Sequence, residues 1–142
     1  MNAGKKNFHH EFKLRVYYED TDAGGIVYHS RYLNFAERAR TEFLRIKNIE
    51  HNKVFRDFGI KFIVKDILVN YLDVCELDDL LIIQTKICLF NKAKFDLEHI
   101  FYKKKKLVCK IKVLLCYLNQ NAKVARMPNA LYDKIKKNNA YE

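Results

Sequence analysis

The 142-residue chain reads as an α+β domain in which a mainly antiparallel five-stranded sheet wraps one long helix. Three observations predict this. A single stretch places Tyr32, Phe35, Ala36, Ala39, Phe43 and Ile46 at helical spacing, with Glu37, Arg38, Arg40, Glu42 and Arg45 between them. Five other stretches alternate in period two or run apolar and β-branched, as strands do. One proline and four glycines leave few places for the chain to break.

In order, Phe12 to Tyr17 alternates and gives the first strand. An acidic, glycine-bearing loop follows, and then the helix over roughly 30–47. The segment from Lys47 to Lys61 is mixed and polar, with Asp57-Phe58-Gly59 closing a short helical piece. Phe62 to Leu72 is apolar and β-branched, which predicts a mostly buried strand. The acid-rich segment from Asp73 to Asp79 reads as a connecting loop. Leu80 to Phe90 sets Ile83, Ile87 and Leu89 on one face against Gln84 and Lys86, and Asn91-Lys92 turns the chain. Phe95, Leu97, His99 and Phe101 share the next inward face. Lys103 to Lys106 forms a basic hairpin tip before the long strand to Leu118, and Pro128 opens a short helix ending at Lys137. Repeats and linkers are absent, so residues 1–142 read as one domain, with a core over about 12–137 and a basic N-terminal arm at 1–11.

Composition removes several classes. At 49% hydrophobic residues the chain can bury a core. The N-terminal dozen residues lack an apolar stretch, so a secretory signal is not expected. The longest apolar run, Val113 to Leu118, is far short of a membrane span. These features predict a cytoplasmic protein without membrane insertion. Cys75, Cys88, Cys109 and Cys116 show no ligand or CxxC spacing and read as reduced, strand-packed small hydrophobes. His9-His10 reads either as a weak metal pair or, more simply, as a flexible terminal pair. No metal site is implied.

The net charge of +10 is uneven. Residues 1–79 hold 13 basic and 13 acidic residues, whereas 80–142 hold 14 and 4. Such a bias suits a polyanion: nucleic acid, a membrane surface or a phosphorylated cofactor. It equally suits lysines that only decorate a solvated face. A nucleic-acid-binding sheet would also use Phe101-Tyr102-Lys103, but no recognisable nucleic-acid motif accompanies it.

The chemistry concentrates between Tyr17 and Tyr32. Asp22 stands in a tight turn immediately before the helix start. A helix N-terminus offers unpaired N–H groups and about half a unit of positive charge. A carboxylate and fixed N–H donors facing one space can attack a carbonyl and hold the resulting oxyanion. Aspartates, with an ordinary pKa of about 3.9, are ionised at neutral pH and serve as nucleophile or general base. The same Asp-Ala-Gly-Gly run is also a good turn, so on spacing alone Asp22 reads equally as a turn or cap residue. His29 would be the helix N-cap, contributing its backbone N–H with or without its imidazole. Tyr28 and Tyr32 either line a pocket or pack in the core. Glu37 and Arg38 form a buried or interfacial pair or belong to a solvated face, and His99 is a core or interface histidine.

The run Tyr18-x-x-Thr21-Asp22-x-x-Gly25-x-Val27-Tyr28-His29-x-x-Tyr32, continued through Glu37-Arg38-Ala39-Arg40, resembles the hot-dog fold acyl-CoA thioesterases. Within them it is most similar to the 4-hydroxybenzoyl-CoA thioesterase type and the bacterial group associated with the Tol-Pal envelope system. Arg126-Met127-Pro128 resembles the basic-plus-proline segment that follows the last strand in that group. The resemblance implies that Asp22 is the catalytic carboxylate, that the His29 backbone N–H polarises the thioester carbonyl, and that Gly25 lets backbone approach substrate. It implies acyl-CoA, or an acyl carrier protein, as the thioester source, with no cofactor beyond the coenzyme A of the substrate. It also implies a homodimer with sheets joined edge to edge, often paired into a tetramer, and sites at the subunit interface. Phosphates of coenzyme A would suit Arg126 or the Lys103–Lys106 tip. The alternative is a domain of this fold that binds acyl-CoA or acyl carrier protein without hydrolysing it.

Overall fold

The structure is a computed structural model and describes residues 9–137. Residues 1–8 of the expected basic arm lie outside the described residues. Five strands form one antiparallel sheet: β1 (His10–Arg15), β2 (Lys61–Tyr71), β3 (Leu80–Phe90), β4 (Phe95–Lys103) and β5 (Lys106–Leu118), in the order β1-β3-β4-β5-β2. Three helices accompany it among the described residues: α1 (Arg31–Ile46), α2 (His51–Phe58) and α3 (Asn129–Lys137). The sheet curls around α1, which is the hot-dog architecture.

The helix is fixed by its stripe. Tyr32, Phe35, Ala36, Ala39, Arg40, Phe43 and Leu44 are the buried residues of α1, all at i, i+3, i+4 spacing, and they face β1, β3 and β5. Phe35 and Phe43 are wholly buried; each contributes roughly 2–3 kcal/mol by leaving water. The small Ala36 and Ala39 let the helix approach the sheet, so a bulky residue at either position would pry the two layers apart. After α1, α2 ends at Gly59, whose φ of 67° is left-handed. A Cβ there would also meet the Gln120 side chain at 2.9 Å.

The strand faces follow the sequence pattern at β4, where Phe95, Leu97, His99 and Phe101 are all fully buried. Two places differ. A register shift between Ile87 and Leu89 lets Cys88 bulge, and beyond it the faces exchange. Phe90 then turns inward against Phe95, while Leu89 and Cys88 point outward. Leu89 therefore does not share the inward face of Ile83 and Ile87.

The second difference is β2. It is an edge strand, paired only to β5, and most of it is exposed, including Val64, Ile67, Leu68 and Tyr71. Its apolar sequence correctly marks a strand, but this chain alone does not cover it. The histidine pair is also better anchored than its sequence suggests. His9 and His10 both lie against the Phe43 ring, and His9 Nδ1 accepts the Ile87 N–H at 3.1 Å.

Candidate active site

The segment before α1 is built almost entirely from hydrogen bonds. After β1 the chain makes one 3-10 turn at Tyr18–Asp20, then a tight loop closed by the Thr21 and Val27 bridge. The Asp22 N–H donates to Ile26 O at 2.9 Å, and the Gly25 N–H donates to Asp22 O at 3.0 Å. Gly25 sits at φ 82°, which few residues other than glycine adopt without strain. Asp22 Oδ1 accepts the Gly24 N–H at 2.8 Å, so the acid orients itself on its own loop.

Two neighbours brace this loop. The Val27 N–H donates to Cys75 O at 2.8 Å, and Ile26 bridges Glu76, tying the loop to the connection between β2 and β3. Asp20 is buried at 3% exposure, accepts the Tyr17 N–H through Oδ2, and meets Arg31 Nε through Oδ1 at 3.4 Å. Asp20 thus closes the 3-10 turn and secures the first residue of α1 together. Beside the loop lies an open cavity of about 460 Å³ lined by Tyr18, Thr21, Asp22, Ala23, Gly25 and Leu77.

The helix start differs from expectation by one residue. Ser30, not His29, is the N-cap, and no side chain caps it. Neither the His29 N–H nor the Ser30 N–H has an acceptor among the described residues. Their carbonyls are occupied: Tyr28 O accepts the Arg31 N–H at 2.9 Å, and His29 O accepts the Tyr71 hydroxyl at 2.8 Å. The His29 imidazole is exposed and lies 4.4 Å, centroid to centroid, from the Tyr28 ring. An exposed carboxylate, an open cavity and two unpaired N–H donors at a helix end are the parts that acyl transfer by a carboxylate requires.

The remaining candidates separate. Tyr28 is half-exposed near the loop, but Tyr32 is buried in an aromatic cluster with Phe35, Tyr71 and Phe101. Burial raises the Tyr32 phenol above its ordinary value, as does its hydrogen bond to Cys75. Tyr32 is therefore core in this chain and does not line the cavity. Arg126 is exposed at the other end of the sheet, where the Met127 N–H donates to Lys92 O. The 11 residues of β3, at about 3.3 Å each, run between the Asp22 loop and that end. The lysine tip is on the Asp22 side: Lys103 pairs with Asp79 at 3.2 Å and Lys106 with Asp73, both in the connection that braces the loop. Lys104 and Lys105 form the two-residue turn itself, at φ 47° and 67°, and are exposed. Glu37 and Arg38 are both exposed, in keeping with a solvated helix face.

Three contributors had no local signal. Tyr71 is about forty positions from His29, Cys75 presents only its carbonyl, and Asp20 occupies a variable place in the motif. Only the bonded backbone reveals them. His99 is resolved as core: it is fully buried, its Nδ1 is 2.8 Å from Thr85 Oγ1, and its Nε2 has no partner among the described residues. Burial, helped by the Arg40 cation, lowers its pKa to about 3.

A sheet wrapped on a helix, with a self-oriented carboxylate in the loop that precedes that helix, defines a hot-dog domain. Residues 16–135 match the family model of the thioesterase-like superfamily, and the chain belongs to that family. It is 50% identical over 76 residues to the acyl-CoA thioesterase YbgC of Haemophilus influenzae, covering 54% of this chain and 56% of that one. A YbgC acyl-CoA thioesterase of Helicobacter pylori is 39% identical over 81 residues, covering 57% of this chain and 58% of its own. Each match thus spans little more than half the length of the curated relative. The crystal structure of a probable thioesterase from Bartonella henselae superposes with a TM-score of 0.80 at 34% identity, over 84% of this chain and 98% of that one. No helix among the described residues is long and apolar enough to cross a membrane.

Proposed function

We propose that the protein hydrolyses the thioester of an acyl-CoA, or of an acyl carrier protein, to free acid and thiol in the cytoplasm. The observation that carries this reading is the Asp22 carboxylate, exposed, bonded to the Gly24 N–H and lining an open cavity in the loop that leads into α1. Two routes balance. In one, Asp22 attacks the carbonyl carbon, the sulfur leaves as thiolate, and water then cleaves the mixed anhydride. In the other, Asp22 takes a proton from water as that water attacks, and the thiol departs on collapse of the intermediate. Either way the carbonyl oxygen becomes negative and needs donors, which the backbone N–H groups of His29 and Ser30 supply. No cofactor or metal is required by either route. The relatives named YbgC support acyl-CoA as the carrier, and membership of the Tol-Pal-associated group is the finer reading.

The same reading includes assembly. The edge strand β2 carries exposed Val64, Ile67, Leu68 and Tyr71, with Leu72 and Val74 following. A second copy joined edge to edge would cover this row and complete the site, giving a homodimer and, through pairing of dimers, a tetramer. Light scattering should give a mass at least twice 17.0 kDa at micromolar concentration; a monomer would refute the assembly. The function itself is tested by thiol release from a panel of acyl-CoA chain lengths. Rising kcat/KM toward one chain class is expected, with a loss on the order of 10²-fold or more in Asp22→Asn. Tight acyl-CoA binding without thiol release would instead identify a non-hydrolytic binding domain.

A further inference from the structure

The residue at the end of β2 reaches the chemistry through a single peptide unit. Tyr71 donates its hydroxyl to His29 O at 2.8 Å. That oxygen and the Ser30 N–H belong to the same planar peptide and point in opposite directions. Fixing the carbonyl therefore fixes the direction of the N–H. A hydrogen bond to the carbonyl also polarises the amide and strengthens its N–H as a donor. The Tyr71 ring is held for this task by an edge contact with the buried Tyr32 ring at 5.5 Å, which in turn rests on Phe101. The preceding peptide is anchored in the same way by a different group, since Tyr28 O accepts the Arg31 N–H. Both peptides thus have occupied carbonyls, and both N–H groups are without an acceptor among the described residues.

We propose that Tyr71 is a positioning residue, acting through the His29–Ser30 peptide to aim the Ser30 N–H as a second donor to the thioester carbonyl. The inference rests on the hydrolytic reading above and extends it to a residue on another element. Partial desolvation of the hydroxyl, aided by the nearby Cys109, raises the Tyr71 pKa above its ordinary value. The phenol therefore keeps its proton, and with it the donor role, across the working range of pH. Because Tyr71 lies on the edge strand, the donor's aim is tied to the order of that edge.

The test is a double-mutant cycle. Tyr71→Phe keeps the ring against Tyr32 and removes only the hydroxyl. Ser30→Pro removes the N–H at a residue whose φ of −73° already suits proline. With the best acyl-CoA of the panel, Tyr71→Phe should lower kcat about 5- to 10-fold and leave KM unchanged. Ser30→Pro should lower kcat at least as much, and adding Tyr71→Phe to it should cost nothing further. Additive losses, a wild-type kcat for Tyr71→Phe, or a loss confined to KM would overturn the assignment. If Ser30→Pro does not fold, amide NMR of the wild type replaces it. A ketone analogue of the acyl-CoA, with CH₂ in place of sulfur, should move the Ser30 amide downfield, and an unmoved Ser30 amide overturns the proposal. Asp22→Asn in the same assay separates the two readings. Its loss of activity beside an unaffected Tyr71→Phe leaves the thioesterase standing and removes only the role of Tyr71. Absence of hydrolysis by the wild type removes both.

Discussion

The two ends of the sheet are held together by different physics. At the end where β3 begins, the Asp22 loop, the connection from Leu72 to Asp79 and the lysine tip are joined by hydrogen bonds and ion pairs. These include Val27 N–H to Cys75 O, Arg15 to Asp78 O at 2.8 Å, and Lys103 to Asp79. Tyr17, Tyr18, Leu72, Val74 and Leu77 stay exposed there. At the end where β3 finishes, α3 packs down on the sheet. Phe90 stacks on Tyr132 at 5.0 Å and meets Phe95, while Met127, Leu131 and Ile135 are buried. Apolar burial is strong but undirected, whereas hydrogen bonds fix directions with little net stability. One end therefore supplies stability and the other supplies aim.

The largest expected effect breaks the aiming end. Asp22→Asn keeps the size and the bond to Gly24 but removes the charge. Its kcat should fall on the order of 10²-fold or more, with the unfolding midpoint unchanged. His29→Ala retains the backbone N–H and should lose clearly less; if it were the more crippled while folded by circular dichroism, the histidine would be the base. Next comes the stabilising end. Leu131 is fully buried, so Leu131→Ala should lower stability by about 2–3 kcal/mol in denaturant titration. Its kcat/KM should remain that of wild type below the melting range, and a matching kinetic loss would mean that the ends are coupled.

Between the ends lies His99, whose titration sharpens the comparison. Its pKa is about 3 when folded and about 6.5 when unfolded. The folded state keeps it neutral, so the unfolded state binds the extra proton between these values. Stability is then complete above about pH 6.5 and is lost as pH falls toward 3, by up to about 1.4 kcal/mol per pH unit. His99→Gln should flatten that slope relative to wild type in urea titrations at pH 4, 5 and 7.

The smallest effect separates the two basic candidates. Reversing Lys104 and Lys105 to Glu should raise KM for acyl-CoA a few-fold, more at low salt, with kcat nearly unchanged. Arg126→Glu should do less, because it lies at the packed end. An equal rise would indicate that a partner subunit brings Arg126 to the site.

Much of this was legible because strand and helix periods are local. The stripe from Tyr32 to Phe43 and the inward face from Phe95 to Phe101 were written in side-chain order. Ile46, read as the end of that stripe, is exposed, while Leu44 and Arg40, read as outside it, are buried. The Asp22 turn was also legible, since its glycines and acid lie within four residues of one another. What the pattern could not carry was which neighbour covers an apolar residue. Phe62 to Leu72 therefore read as buried although β2 is an exposed edge, and Leu89 read as inward although the Cys88 bulge turns it out. Tyr71 escaped for another reason: its partner is a carbonyl, and every residue has one.

The bond from the Gly24 N–H to Asp22 Oδ1 limits which acid can occupy that position. A side chain that folds back on the amide two residues ahead must be short, and aspartate, with one methylene, is the acid of that length. Glutamate would reach past the amide and gain a rotatable bond in the process. Gly24 adds to the restriction, for a Cβ there would sit 3.2 Å from the same oxygen. The exchange Asp22→Glu thus preserves charge while losing direction, and its turnover should fall nearly as far as that of Asp22→Asn. Reach, as much as acidity, decides what this turn can use.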